Sequence, residues 1–351
     1  MKPKQYRYDF YDHGVTQTLI TLWLRCREQC RLQYVEGWRS LRPSFPLEYG
    51  SAMHWMLAEM YGHGITKVGT NWVRKTLDQY HEKWIAEHPI LTDEMREMHQ
   101  SVLGMAEVVL PRYIDRCMML DGHYNDGKKR WISLESNFRI KHVLKGDFGE
   151  PTTEQVSTYL NGRFDGVYGV PAKNDNLWLF ETKNLSVIDE SALQDLLPTD
   201  FQVNFYLRAL RIWAKTGKIP RTPSGVLYNI IRRPRLYRRK DEALAPYLDR
   251  VRKDVADPKR IDFYFMRFKV KIDQPETRAW EESTLLPVLT EMWRWLTGIQ
   301  NPNAALKLAS YVNHQNLITK YGRCEMYDPL VRGNYSGCYK RSVPFSELED
   351  A

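Results

Sequence analysis

Three short phrases between Tyr159 and Tyr206 hold side chains that can do chemistry together: Gly162-Arg163-Phe164-Asp165-Gly166, Trp178-Leu179-Phe180-Glu181-Thr182-Lys183 and Gln202-Val203-Asn204-Phe205-Tyr206. Asp165 and Glu181 offer carboxylates, which suit Mg²⁺ or Mn²⁺, and Lys183 offers an ammonium. Two runs rich in aromatic and β-branched residues, parted by the turn-forming Pro171 to Asn176, read as an antiparallel hairpin. Asp165 falls in the first strand. Glu181 and Lys183 fall two apart in the second, so they share a face. Two carboxylates and an ammonium beside a core are costly unless they hold a metal or pair with one another. The same string also reads as an ion-paired group on a solvated face.

The elements that must position these residues follow from periodicity. Asp200 to Lys215 reads as a helix, ended by Gly217 and Pro220, with Gln202 and Tyr206 on one face. Gly225 to Ile231 is an apolar run of the fully buried strand kind. The order is therefore strand, strand, helix, strand. Upstream, Trp131 to Val143 reads as another strand, on which Glu135 faces either the site or solvent. After the break at Pro43 to Pro46, Met53, Met56, Leu57 and Met60 give a helix an apolar face, with His54 beside it.

These residues, together with Gly50-Ser51-Ala52-Met53-His54, resemble the motifs of the PD-(D/E)XK nuclease superfamily, and within it the branch of RecB-like and AddB-like exonucleases and the CRISPR adaptation exonucleases. The Gly-x-x-x-His and Gln-x-x-x-Tyr spacings of that branch are met at Gly50/His54 and Gln202/Tyr206. The resemblance implies an α/β fold with a restriction-endonuclease-like core, a mixed central sheet flanked by helices, and helical additions at both ends. It implies a metal-dependent deoxyribonuclease using Mg²⁺ or Mn²⁺, with DNA as substrate and a helicase or single-strand annealing protein as partner. Asp165, Glu181, His54 and the backbone carbonyl of Thr182 would bind the metal. Lys183 would orient the attacking water and stabilise the transition state, and Gln202 and Tyr206 would hold the DNA or order the metal shell. A DNA-gripping module that no longer cuts, and an enzyme acting on RNA or nucleotides, remain alternatives.

Some members of the branch carry an iron–sulfur cluster. The phrase Gln29-Cys30-Arg31-Leu32-Gln33-Tyr34 resembles their N-terminal ligand segment, but Lys320 and Leu330 stand near where two C-terminal cysteines would fall. Cys26, Cys30, Cys324 and Cys338 are the candidates for a cluster or a structural zinc, and no complete cluster is expected. Cys117 reads as a core residue.

The whole chain sets wider bounds. It has 351 residues, a formal charge of +8 and an apolar fraction of 43%, enough for a large core and a bias toward anionic partners. The run Arg232-Arg233-Pro234-Arg235-Leu236-Tyr237-Arg238-Arg239-Lys240 has six cations in nine residues, so Arg232, Arg233, Arg235 and Arg238 are candidate DNA contacts. No membrane-spanning run is present, and Met1 to Gln5 lacks the apolar stretch of a signal peptide, so a cytoplasmic location is expected. Five cysteines without a secretory signal argue against a disulfide framework. Thr16 to Trp38, Thr70 to His88, Met95 to Leu120, Asp241 to Val255 and Thr277 to Thr297 read as further helices, and Ile261 to Ile272 as a strand. No repeat or linker divides the chain. A single unit is expected: a helical part over 1–130, the nuclease core over 131–245 and a helical part over 246–351.

Overall fold

A computed structural model describes residues 8–41, 44–64, 68–88, 91–121, 131–144, 156–169, 176–186, 188–297, 307–319 and 322–340. In chain order the elements are β1 (Val15–Thr16), α1 (Gln17–Arg25), α2 (Arg27–Cys30), β2 (Trp38–Ser40), α3 (Phe45–His63), α4 (Thr70–Glu87), α5 (Asp93–Asp121), β3 (Trp131–Val143), β4 (Ser157–Tyr168), β5 (Trp178–Leu185), α6 (Glu190–Leu196), α7 (Phe201–Lys215), β6 (Gly225–Arg232), α8 (Leu244–Ala256), α9 (Ile261–Tyr264), β7 (Phe265–Lys271), α10 (Gln274–Trp280), α11 (Leu286–Thr297), β8 (Ile318–Thr319), β9 (Gly322–Arg323), α12 (Tyr327–Arg332) and β10 (Cys338–Lys340).

Six strands form the central sheet, in the order β1-β4-β5-β6-β7 with β3 also on β4. Neighbours are antiparallel except β1 with β4 and β5 with β6. β3 runs along one edge of β4, pairing from Ser157 to Tyr168. A strand has only two edges, so β1 and β5 share the other. β1 takes Leu160 and Asn161 there, and β5 takes only Gly166 to Tyr168. The stretch from Gly162 to Asp165 is left open between them, and β4 and β5 part at a fork.

Helices cover both faces, as the resemblance implied. On one face, Met53, Met56, Leu57 and Met60 of α3 pack with α4, α5 and α8 against Phe180, Leu227 and Phe265. On the other, Val203, Phe205 and Leu207 of α7 pack with α1 and α11 against Phe164, Leu179 and Tyr228. β6 has Val226, Tyr228 and Ile230 in one core and Leu227 and Ile231 in the other, which explains its largely apolar sequence. Asp200 caps α7, its side chain accepting from the Val203 amide at 2.8 Å.

Several elements differ from the sequence reading. The expected helix over Thr16 to Trp38 breaks at Cys26, which is extended at φ −161° and ψ 105°. The backbone groups released there are satisfied from far along the chain: Glu28 N–H donates to Tyr311 O at 3.3 Å, and Asn316 Nδ2 donates to Arg25 O at 2.9 Å. Trp38, the expected end of that helix, instead begins a strand, Trp38–Ser40, paired with β10. The expected strand over Ile261 to Ile272 opens as α9 and becomes extended only at Phe265, the turn being held by the Tyr264 hydroxyl on Asp254. α10 starts earlier than expected because Asp273 and Glu276 form a capping box. The sheet also reaches past residue 245 to take β7, and back to residue 15 for β1, so it is wider than the span read as core. The turn expected at Pro171 to Asn176 lies, save Asn176, outside the described residues.

Gly225 begins β6 at φ +151°, and a Cβ there would stand 2.1 Å from the Val270 carbonyl oxygen on β7. Backbone cannot yield as a side chain can, so Gly225→Ala is expected to cost at least about 2 kcal/mol. Urea unfolding followed by circular dichroism measures this, and an unchanged midpoint would refute the register of β6 against β7.

Candidate active site

The fork is where the chemistry-bearing residues meet. At Asp165 the ladder to β5 has ended, and its side chain takes the place of the missing partner: Thr182 N–H donates to Asp165 Oδ2 at 2.7 Å. The other oxygen, Oδ1, lies 3.3 Å from His54 Nδ1. His54 reaches it because the buried methionines of α3 fix which face of that helix meets the sheet. Glu135 comes from β3, between Leu134 and Ser136, which pair with Gly166 and Phe164, so it stands opposite Asp165. His54, Glu135 and Asp165 each offer a ligand atom within 4.8 Å of the others. They line a cavity of about the size of one ion, closed on its apolar side by Leu57, Tyr61 and Phe180.

Glu181 and Lys183 alternate with Thr182 along β5 and point toward α7. Lys183 Nζ donates to Glu181 Oε1 and to Gln202 Oε1, both at 2.6 Å. Glu181 is 1% exposed, and its second oxygen has no hydrogen-bond partner among the described residues. The structure therefore brings Asp165, His54, Thr182, Glu181, Lys183 and Gln202 to one fork, with Glu181 outside the tight trio and Glu135 inside it. Tyr206 is buried, its ring edge-on to Phe138 and Phe164.

Burial shapes the electrostatics. It pulls the His54 imidazole down, but Asp165, with Glu135 and Glu181 behind it, more than offsets this and leaves it above its ordinary value. Burial pushes Asp165 up, and His54, Lys183 and the Thr182 amide together bring it below the usual carboxylate range. Burial, then the nearby Asp165 charge, push Glu135 up to about 7 against the pull of Arg163 and His54. Glu181 is likewise pushed up by burial against the pull of Lys183. Glu135 and Glu181 each resist ionisation near Asp165, and one buried oxygen lacks a donor. A divalent cation is the partner such a set fits, with one imidazole nitrogen and carboxylate oxygens to hold it.

Residues 15–303 match the family model of the PD-(D/E)XK nuclease superfamily. The chain belongs to this superfamily. No curated protein matches the chain in sequence. The restriction-endonuclease-like fold, nuclease family and nucleic-acid substrate class therefore stand together, and PD-(D/E)XK nucleases use divalent metals. Among the described residues no helix is long and apolar enough to cross a membrane.

The remaining candidates lie elsewhere. Arg232 is held at Phe263, its Nε donating to the carbonyl at 2.9 Å, and Arg238 bonds the Glu242 carbonyl and pairs with Glu97 at 3.3 Å. Arg233 lies over the Phe45 ring at 5.8 Å, and Arg235 is exposed. Cys26 and Cys30 are buried at the α1/α2 break, with Cys324 near Cys26. Burial and the adjacent Cys26 push the Cys30 thiol well above its ordinary value. Cys338 stands opposite Ser40 on β10. Among the described residues these thiols form no group of three within 4.8 Å. Cys117 is a buried core residue, as expected. Glu135 was the residue the sequence left open. In sequence it falls on the polar phase of its strand, with Ser133, Asn137 and Arg139, and only the register against Asp165 places it in the site.

Glu135 also supplies a pH test. Its folded value of about 7 lies above the ordinary 4.5, so its burial does not burden the fold below that lower pH and burdens it increasingly as pH rises through 7. Metal-free Glu135→Gln is therefore expected to be more stable than wild type at pH 8, by up to about 3 kcal/mol before solvent screening, and so to melt higher, with the gap closing near pH 4.5. Thermal denaturation across that range in chelator checks it. A constant gap would mean that Glu135 does not titrate there.

Proposed function

We propose that this chain is a metal-dependent nuclease that hydrolyses phosphodiester bonds in DNA, working from ends as an exonuclease in recombination, repair or replication. The meeting of His54, Glu135 and Asp165 at one small cavity beside a half-buried Lys183 carries the reading. The Gly50/His54 and Gln202/Tyr206 spacings support the RecB-like and AddB-like branch.

His54, Glu135 and Asp165 would hold the ion, with Glu181 and the Thr182 carbonyl beside them. Bound Mg²⁺ or Mn²⁺ would acidify a water and take up charge on the scissile phosphate. Lys183 keeps its proton: burial favours the neutral amine, but Glu181 outweighs it and raises its affinity for the proton. The ammonium is fixed on two acceptors at 2.6 Å, so it needs no reorganisation when negative charge develops nearby. Gln202 acts through Lys183 by orienting it, and the packed Tyr206 ring suits ordering of that helix face better than gripping DNA.

The basic run supplies the grip. It leaves the sheet at β6, and Arg233 N–H donates to Leu185 O at 2.8 Å, which ties the run to the end of the strand carrying Glu181 and Lys183. Its outer cations Arg235, Arg238, Arg239 and Lys240 are exposed. A Cβ at Gly50 would meet nothing within 4 Å, so the approach one turn from His54 is open to a phosphate backbone. A helicase or single-strand annealing protein would deliver the end.

Lys183→Ala is expected to lower DNA cleavage in Mn²⁺ by at least about 10²-fold while leaving affinity for DNA unchanged. Changing Arg235, Arg239 and Lys240 together to Ser is expected to weaken binding and flatten its salt dependence by up to about three units of slope. Cleavage of linear but not closed-circular DNA supports end-directed action, and nicking of circles overturns it. Wild-type cleavage by Lys183→Ala would remove Glu181-Thr182-Lys183 from the mechanism. Binding without cleavage by wild type in either metal would leave a DNA-gripping module.

A further inference from the structure

Thr182, Asn229 and Arg267 are direct partners across three strands, β5, β6 and β7. Their side chains form a hydrogen-bonded row. Asn229 Nδ2 donates to Thr182 Oγ1 at 3.2 Å, and Asn229 Oδ1 accepts from Arg267 Nε at 3.2 Å. Thr182 and Asn229 are 1% and 2% exposed. Beyond them the Arg267 guanidinium lies by the Phe180 ring, 5.5 Å from its centroid, and faces the Tyr61 hydroxyl at 3.1 Å, the Tyr113 hydroxyl at 3.2 Å and Cys117 Sγ at 3.5 Å.

The two ends of this row are informative. At one end, Thr182 gives its amide to Asp165. At the other, Tyr61 stands two turns after His54 on α3, hence on the same helix face, and it lines the same cavity. Apart from the His54 contact with Asp165 on β4, α3 meets the sheet mostly through methionine, leucine and aromatic contacts, which are adaptable and set distance loosely. Arginine suits the junction. Its planar fork serves Asn229 and the hydroxyls at once, which the single ammonium of lysine cannot do in the same geometry.

We propose that Arg267 and Asn229 are positioning residues that fix the separation of α3 from β5, and thereby set how tightly His54, Glu135 and Asp165 bind a divalent cation. The inference rests on the metal-binding reading given above. Neither residue touches the ion or the substrate.

The test compares Mn²⁺ affinity by titration calorimetry with the melting temperature of the metal-free protein, for wild type, Arg267→Met, Asn229→Leu, the double variant and Arg267→Lys. Each apolar single variant is expected to bind Mn²⁺ 10- to 100-fold more weakly, the range seen when the outer partners of metal ligands are removed. The double variant is expected to bind no more weakly than the singles, because both act through one row. It should also regain part of the melting temperature, since neither side chain of the pair is then left without the other, while the Thr182 and tyrosine hydroxyls lose a partner. Arg267→Lys keeps the charge and most of the volume, so it carries the same test should the apolar variants not fold, with weakened Mn²⁺ binding expected. Folded variants that melt lower but bind Mn²⁺ as wild type does would make the row merely structural and overturn the inference alone. A wild type that takes up no Mn²⁺ would overturn the metal-binding reading and the inference with it.

Discussion

Everything at the site depends on one hydrogen bond that substitutes for a strand pairing, the Thr182 amide on the Asp165 carboxylate. Where β4 and β5 part, two strands would each leave buried backbone donors and acceptors without partners, which a fold rarely tolerates. A side-chain carboxylate closes that gap and in doing so is carried to the mouth of the fork. Structural need and chemistry thus fall on one atom pair. The cost is a buried negative charge, and His54, Lys183 and the amide itself are what keep it ionised.

Around that point the molecule gathers groups that would be unfavourable apart. Glu135 beside Asp165 is a cross-strand pair of like charges, and such pairs destabilise a sheet. Glu181 is almost wholly buried, with Lys183 on one oxygen only. Arg163 pairs with Glu135 at 3.0 Å but is itself largely solvated, so it offsets little of the repulsion. These residues violate local rules of sheet stability in one place, which is the pattern expected where selection has acted on function rather than on the fold.

The parts of this arrangement that were legible in the sequence are those written in short range. Period two gave the strands of Asp165 and Glu181, Asp200 and Gly217 bounded α7, and the largely apolar run of β6 gave a buried strand. The methionines of α3 placed His54 on a helix facing the sheet. What stayed hidden required knowledge of distant partners. Glu135 needed the β3 to β4 register to separate a site residue from a solvated one. Lys183 and Gln202 are 19 residues apart, and only folding of α7 onto β5 makes them neighbours. The break at Cys26 leaves no mark in helical periodicity, because the groups that satisfy it lie beyond residue 310. β1 is two residues long and exists only because the upper edge of β4 is open to it.

That break also bears on how the molecule is made. Cys26 Sγ accepts from the Asn313 amide 287 residues later, and β2 finds its partner only at β10. As the chain leaves the ribosome, the first helices emerge with these groups facing water and must wait for partners made 287 residues later. Contacts of such sequence separation are paid for in loop-closure entropy and form late. The core that holds the fork can pair β3 to β7 while the first and last segments are still apart. Closure of this clasp is then a late step of folding, after the strands that hold the fork have paired.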